Sequence, residues 1–290
     1  MKVAEVAKLS PLDRFLYWIR ERHAIYIRRK AGEARPWTDD EVLQRYFFTN
    51  PYRENDKVTV WFRENIREPL HNDSRVVFAT VAFRWFNLPS TGQVLKTAGL
   101  LNRWDTATAV KALSKIRDEG NKVFTGAFNI SNSGSTKPKI NRVCEDYIQP
   151  VWEDRQSLLR DLRKPGMTME AAHARLMEYP GLCGSGFMAY EVVCDLRYTY
   201  ILENASDKLT WSNPGPGARR GLNRLMNRPI DGPCKDYQAE SVKLLATVSK
   251  RLAKLPPLEM REIEHSLCEF DKHERARLGD GHMKRRYAGT

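Results

Sequence analysis

The stretch Leu176-Met-Glu-Tyr-Pro-Gly-Leu-Cys-Gly-Ser-Gly-Phe-Met-Ala-Tyr-Glu-Val-Val193 reads as a helix, a tight glycine turn and a second helix. Gly181, Gly184 and Gly186 permit backbone conformations that residues with a Cβ disfavour. A second helix starting near Ser185 would aim its first, unpaired amides outward, where a phosphate can accept from them. Gly181, Gly184, Ser185 and Gly186 are therefore candidates for a sequence-independent grip on a nucleic-acid backbone. An ordinary helical hairpin with a glycine-rich turn satisfies the same glycine count, so the neighbouring sequence has to decide.

Downstream, the segment from Lys208 to Ile230 carries Lys208, Arg219, Arg220, Arg224 and Arg228 and no acid. Within it Asn213-Pro-Gly-Pro-Gly-Ala218 forms a second glycine-rich helix start, which adds Gly215 and Gly217 to the backbone-contact candidates. Asp195 and Asp207 are the two aspartates between the two turns. A single Asp in such a place is ordinarily a surface or turn residue, and Asp207 in Ala-Ser-Asp-Lys could simply cap a turn.

Lys and Arg total 48 against 36 Asp and Glu, a formal charge of +12 that favours polyanionic partners through counterion release. Five cysteines, Cys144, Cys183, Cys194, Cys234 and Cys268, form no CxxC pair, so neither a disulfide framework nor a zinc ribbon is indicated. Glu264, His265, Cys268, Glu269 and Asp271 are metal-like in composition, but their spacing wraps them around a helix, and they read as structural or pocket groups. No metal and no cofactor are expected. No apolar run reaches the ~18 residues of a membrane span, and the sequence reads as a cytoplasmic protein.

Helical periodicity runs through most of the chain. Leu12, Phe15, Leu16, Ile19, His23 and Tyr26 share a face, with Gly32 and Pro36 as the stop. Thr38 to Glu41 reads as a capping box, in which Thr38 accepts from the Glu41 amide and the Glu41 carboxylate reaches back. Residues 76 to 86 are apolar nearly all round and predict a buried central helix closed by Pro89. Asp105 caps a helix that ends at Gly120, residues 123 to 139 read as loop, and late helices are expected over 237 to 254 and 259 to 276. The class is mainly α, one helical domain over 1–290 in two lobes: about 1–140 with part of the C-terminus, and 141–235 with the hairpin.

A proline-glycine-x-x-glycine turn leading into a helix, with an Asp further along, resembles the helix-hairpin-helix DNA glycosylases, whose helical fold flips a base and presents a catalytic Asp. Asp207 stands in that place, and Asp195 is closer to the turn than the pattern expects. A narrower resemblance rests on five stretches in order: 29 to 40, 48 to 59 (Phe-Thr-Asn-Pro-Tyr-Arg-Glu-Asn-Asp-Lys-Val-Thr), 187 to 198, 215 to 222 (Gly-Pro-Gly-Ala-Arg-Arg-Gly-Leu) and 263 to 272. These are similar to the alpha-glutamyl/putrescinyl thymine pyrophosphorylase family, the amino-acid:DNA transferases of bacteriophage thymidine hypermodification. The same helical module accompanies hydroxymethyluracil DNA kinases, but the phosphate-cradling GxxxxGK[ST] is absent here.

The resemblance implies double-stranded DNA carrying a 5-hydroxymethyluracil that a partner kinase has activated as its phosphate or pyrophosphate ester. An amino acid or polyamine would then displace that group. For a phage-encoded protein this would take place in the host cytoplasm. The leaving group needs fixed positive charge, which arginine supplies bidentately. Arg53, Arg219 and Arg220 are the candidates, with Asn50 and Asp56 in the same loop as Arg53 as further substrate contacts. Asp195 or Asp207 would accept the proton of the incoming ammonium. A flipped base calls for a stacking aromatic, for which Trp37, Tyr52 and above all Trp211 are candidates. The alternative activity is a glycosylase that removes a modified base.

Overall fold

The computed structural model describes residues 1–128, 130 and 135–280, and every regular element among them is helical. In chain order these are α1 (Val3–Val6), α2 (Pro11–Lys30), α3 (Glu41–Arg45), α4 (Lys57–Phe62), α5 (Arg75–Phe86), α6 (Pro89–Thr97), α7 (Thr106–Asp118) and α8 (Lys139–Arg142). There follow α9 (Gln149–Glu153), α10 (Arg155–Leu162), α11 (Met169–Leu176), α12 (Phe187–Leu196), α13 (Pro216–Leu225), α14 (Tyr237–Arg251) and α15 (Met260–Leu278). π-Helical turns at Arg63–Arg67 and Val143–Ile148 extend α4 and α8. The loop read over 123 to 139 falls partly on 129 and 131–134, which lie outside the described residues.

The chain forms two compact units, one made of Met1–Asp56 together with the chain from Lys208 onward, the other of Lys57–Asp207. Residue 140, where the sequence reading divided the lobes, lies inside the second unit, because α5 from the first half of that unit packs on α12 from its second half.

In the first unit α2 begins at Ser10, whose hydroxyl accepts from the Asp13 amide, and Pro11 fits the first helical turn because no amide is needed there. Its apolar face, with Phe15, Trp18 and Ile19, enters a core shared with Phe48, Leu222 and Phe270. Phe15 meets Phe270 edge-on at 5.3 Å. The capping box expected at Thr38 is replaced by a simpler device. Asp40 Oδ1 accepts from the amides of Val42 and Leu43, and Thr38 accepts instead from the Asp40 amide. A carboxylate one residue before the helix reaches both open amides at once, which Thr38 is too far upstream to do.

The crossing of α13 on α15 depends on two glycines. A Cβ on Gly217 would lie 2.5 Å from the Cys268 Sγ, and one on Gly221 would lie 2.1 Å from the backbone oxygen of Leu267. The four-residue spacing puts both on one helix face, so the backbones approach as no larger residue allows. In the second unit, α5 is buried from Val76 to Phe86 as its composition demands, ending where Asn87 turns left-handed at φ 47°. Asp105 caps α7 through the Thr108 amide at 2.7 Å.

Replacing Gly221 by Ala should lower the free energy of unfolding by about 1–3 kcal/mol, since the clash is with main chain that cannot rotate away. Denaturant titration of the variant checks this, with Gly120→Ala, left-handed at φ 78° and with nothing within 4 Å of a Cβ, as the comparison that carries backbone strain and no clash.

Candidate functional site

In the second unit the glycine hairpin joins α11 to α12. The first helix is held at its start from two sides. Thr168 Oγ1 accepts from the Ala171 amide at 3.1 Å, and the two oxygens of Asp207 accept from the amides of Met169 and Glu170 at 2.8 and 2.9 Å. Asp207 thus closes the N-terminus of α11 with a charge opposed to the helix dipole. It is half-buried.

The turn is shaped by Gly181 and Gly186, both left-handed, at φ 78° and 69°. A Cβ on Gly181 would run into Tyr147 and Trp85 at 2.7 and 2.8 Å, and one on Gly186 into the His173 ring at 2.6 Å. His173 Nε2 lies 2.9 Å from the Gly186 carbonyl, which only a protonated Nε2 can serve. Burial holds the imidazole below its ordinary value, so a neutral tautomer with Nε2–H donates there. Between these anchors Cys183, Gly184 and Ser185 are exposed, and around Gly184 a Cβ would meet nothing within 4 Å. Of the four hairpin residues read as backbone contacts, Gly184 and Ser185 form the open tip, while Gly181 and Gly186 shape it from below.

Asp195 sits elsewhere than a catalytic carboxylate should. It is fully buried, its Oδ2 takes the Nε of Arg84 at 2.5 Å and its Oδ1 takes Nη2 at 2.7 Å. The remaining Arg84 Nη1 donates to Asn87 Oδ1 at 2.7 Å and lies 3.7 Å from a Glu191 oxygen. A carboxylate with both oxygens bound to a buried guanidinium is a packing element and cannot receive a substrate proton without losing that pair.

In the first unit three of the stretches singled out in the sequence, 48 to 59, 215 to 222 and 263 to 272, are tied together by hydrogen bonds. The 49 to 56 loop is a closed polar knot: the backbone amide and Nδ2 of Asn50 both donate to Asp56 Oδ1, at 3.1 and 2.8 Å, and Arg53 donates to Asp56 Oδ2 at 3.0 Å. Asn50 Oδ1 is buried with no hydrogen-bond partner among the described residues. The loop is tied to α15, since the Thr49 amide donates to Glu269 Oε2 at 3.0 Å and Thr49 Oγ1 meets His265 Nε2 at 2.5 Å. Lys272 donates to the Phe47 carbonyl at 2.6 Å and to Glu269 at 3.2 Å, and Arg261 lies 3.5 Å from Glu54. One turn away on α15, Glu264 Oε1 accepts from the Gly215 amide at 3.2 Å.

These contacts redistribute the sequence candidates. The Gly215 amide is taken by Glu264 and Gly217 packs on Cys268, so these glycines serve the helix crossing where phosphate contact was expected. Arg220 and Arg219 separate: Arg220 shares the buried Asp271 with Arg224 and Arg275, at 3.0, 2.8 and 3.2 Å, whereas Arg219 is exposed. Tyr52, read as a base-stacking ring, is buried against His23 with its hydroxyl on the Pro256 carbonyl at 2.8 Å; burial, then the Glu262 charge, pushes that hydroxyl up to about 12. Trp37 lies between Arg29 and Arg35, and Trp211 is 9% exposed beside Ser212, which Gln238 clasps. The residues that sequence reasoning did not single out are Thr49 and Lys272, which lie inside the stretches 48 to 59 and 263 to 272, and Arg261, which lies just before the second.

His265 stands among cations. Burial, then Arg53, Arg261 and Lys272, hold its imidazole well below the ordinary value. No set of three or more His, Cys, Asp or Glu side chains among the described residues is disposed to hold a metal ion, and no helix there is long and apolar enough to cross a membrane.

Residues 10–283 match the family described as 5-hmdU DNA kinase, helical domain. A curated relative, the 5-hmdU DNA kinase of Bacillus phage SP10, is 27% identical over 288 residues, which cover 90% of this chain and 44% of the relative. The chain thus spans less than half the length of that relative. No solved structure matches it.

Two outcomes follow from the geometry. Asp195→Asn should cost about 3–5 kcal/mol in unfolding free energy, because it strands the Arg84 charge in the core; thermal and denaturant unfolding measure it. Histidine titration should also be visible. His265 has a folded value below the unfolded one, so the stability it contributes is full above about pH 6.5 and is lost as pH falls from there. His273 runs the other way: burial lowers it, but Asp40 and Glu274 outweigh burial and raise it, so its contribution is full below that pH and is lost as pH rises through the raised value. Urea titrations between about pH 5 and 8 should show a flatter acid-side fall for His265→Gln and a steeper one for His273→Gln.

Proposed function

The chain belongs to the 5-hmdU DNA kinase helical-domain family, and on that premise we propose that it is a DNA base-hypermodification transferase. It joins an amino acid or other amine to the activated 5-hydroxymethyl group of uracil in double-stranded DNA, and phosphate or pyrophosphate leaves. The observation that carries the reading is the convergence, in one unit, of the 49 to 56 loop, the start of α13 and the polar face of α15. Those are three of the five stretches by which the sequence resembles the alpha-glutamyl/putrescinyl thymine pyrophosphorylases. The relative's name is that of a kinase, and the absence of GxxxxGK[ST] from these 290 residues favours a step that uses an activated base over one that makes it. A partner kinase supplies the activated DNA.

The amine nitrogen forms a bond to the exocyclic methylene as the bond from that carbon to the ester oxygen breaks. Electron donation from the uracil ring assists departure, and the leaving oxygens take up charge that a positioned cation stabilises. Arg53 has the preparation for this, since Asp56, itself held by Asn50, fixes its guanidinium before substrate arrives. Arg219, exposed at the start of α13, is a second anion contact. The ammonium must lose a proton before or as it attacks. Of the two aspartates read from sequence for that proton, Asp195 is locked on Arg84 and Asp207 caps α11 through the Met169 and Glu170 amides, so the proton goes to the departing phosphate. The hairpin tip at Gly184 and Ser185 is the helix-hairpin-helix grip on the DNA backbone, in the manner of the glycosylases.

Incubation with kinase-treated hydroxymethyluracil DNA and mixed amines, followed by nucleoside mass spectrometry, should show an adduct heavier than 5-hydroxymethyldeoxyuridine by the mass of the amine less one water. Arg53→Ala should slow its formation roughly 100-fold, the size of losing one charge-stabilising donor. No adduct with any amine would overturn the proposal, and abasic sites in the same reactions would establish base excision in its place.

A further inference from the structure

Four side chains of α15 form a stripe that meets the 47 to 54 segment. Arg261, His265, Glu269 and Lys272 are spaced by four, four and three residues, which puts them on one helix face. Arg261 lies 3.5 Å from Glu54, Glu269 accepts from the Thr49 amide at 3.0 Å, and Lys272 donates to the Phe47 carbonyl at 2.6 Å. His265 is the member of the stripe that pairs with no charge. Its Nε2 meets Thr49 Oγ1 at 2.5 Å. The residue is half-buried, and its Nδ1 has no hydrogen-bond partner among the described residues.

We propose that His265 carries the proton of the incoming ammonium to the departing phosphate. With Nε2–H donating to the Thr49 oxygen, Nδ1 keeps its lone pair. Nδ1 takes one proton from the ammonium, and the freed amine lone pair forms the bond to the exocyclic methylene as the carbon–oxygen bond breaks. The imidazolium then gives that proton to the oxygen that leaves. The products are a secondary ammonium on the base and a protonated phosphate or pyrophosphate, and the imidazole ends as it began. Thr49 fixes the ring from the far nitrogen, as a hydrogen-bonded neighbour orients a catalytic imidazole elsewhere.

The surroundings suit a relay. The loop brings Arg53 paired with Asp56, and Glu54 paired with Arg261; α15 brings Lys272 paired with Glu269, while Glu264 is turned to the Gly215 amide. Burial, then Arg53, Arg261 and Lys272, keep the imidazole neutral near pH 7 and able to accept. Once it is charged, the same cations favour passing the proton on. They also lower an ammonium seated beside them, which brings donor and acceptor closer in basicity. A carboxylate in that position would pair with the ammonium and hold it in the form that cannot attack. Arg53, the cation assigned to the leaving oxygens, is among the charges felt by His265, so base and leaving-group contact belong to one site.

This role rests on the transferase reading of the chain, and one experiment separates the two. Kinase-treated hydroxymethyluracil DNA and a saturating mixture of amino acids and putrescine are given to the full chain and to its His265→Gln and His265→Ala variants. Single-turnover adduct formation is followed from about pH 5 to 9. The wild-type rate should rise with pH and level off above the depressed imidazole value. His265→Gln should be roughly 100-fold slower at neutral pH and should keep rising about tenfold per pH unit, because it depends on donor already deprotonated in solution. Free imidazole should restore part of the rate to His265→Ala, a response that a merely structural loss would not give. If both variants react as fast as the wild type, or react slowly with the levelling intact and no rescue by imidazole, the relay is overturned and the transferase reading stands. If the wild type forms no adduct at any pH, the transferase reading falls and the relay with it.

Discussion

One guanidinium held by both oxygens of a carboxylate, in a place no water reaches, sets the frame of the second unit. The Arg84–Asp195 pair carries a large desolvation cost that a loose geometry would not offset. It is offset by fork-to-fork alignment and by Asn87 and Glu191, which occupy the donor that Asp195 leaves over. Any slide of α12 along α5 breaks both hydrogen bonds together, so the pair acts as a register pin. The hairpin tip and Phe187 stand at the far end of α12, and their position is inherited from that pin.

The first unit solves a related problem with the signs reversed in number. There a single buried carboxylate, Asp271, gathers Arg220, Arg224 and Arg275, drawing α13 onto α15 where Gly217 and Gly221 let the backbones close. Asp40 adds a second such node, capping α3 while it receives Tyr17 and His273. The cations of the 49 to 56 loop and of α15 are paired in turn, Arg53 with Asp56, Arg261 with Glu54 and Lys272 with Glu269, and His265 beside them is held below its ordinary value by burial first and by those cations second.

The helices were legible because apolar spacing and caps are local. Asp105 at the head of α7 and the run from Val76 to Phe86 needed nothing from afar. The hairpin glycines were legible for the same reason, although their separate duties were not: whether a glycine faces Tyr147 or open solvent depends on residues distant in sequence. Asp195 and Arg84 show the limit best. An arginine inside an otherwise apolar helix announces a buried acidic partner, but the partner is 111 residues away, and only the folded chain names it. The polar face of α15 looked like a ligand set in composition, and the structure gives each member a different contact: Glu264 to Gly215, His265 and Glu269 to Thr49, Asp271 to its arginines.

The first unit is discontinuous in the chain, and this dictates an order of assembly. Phe15, Trp18 and Ile19 wait for Leu222 and Phe270, with the whole of the second unit emerging from the ribosome between them. Closing so long a loop before its contacts reward it is slow, whereas the second unit is continuous and can complete itself as soon as Asp207 reaches the start of α11. The piece of chain made in the middle is therefore the piece finished first, and the amphipathic α2 spends translation with its apolar face uncovered. That interval is where a chaperone, or an aggregate, would meet this protein.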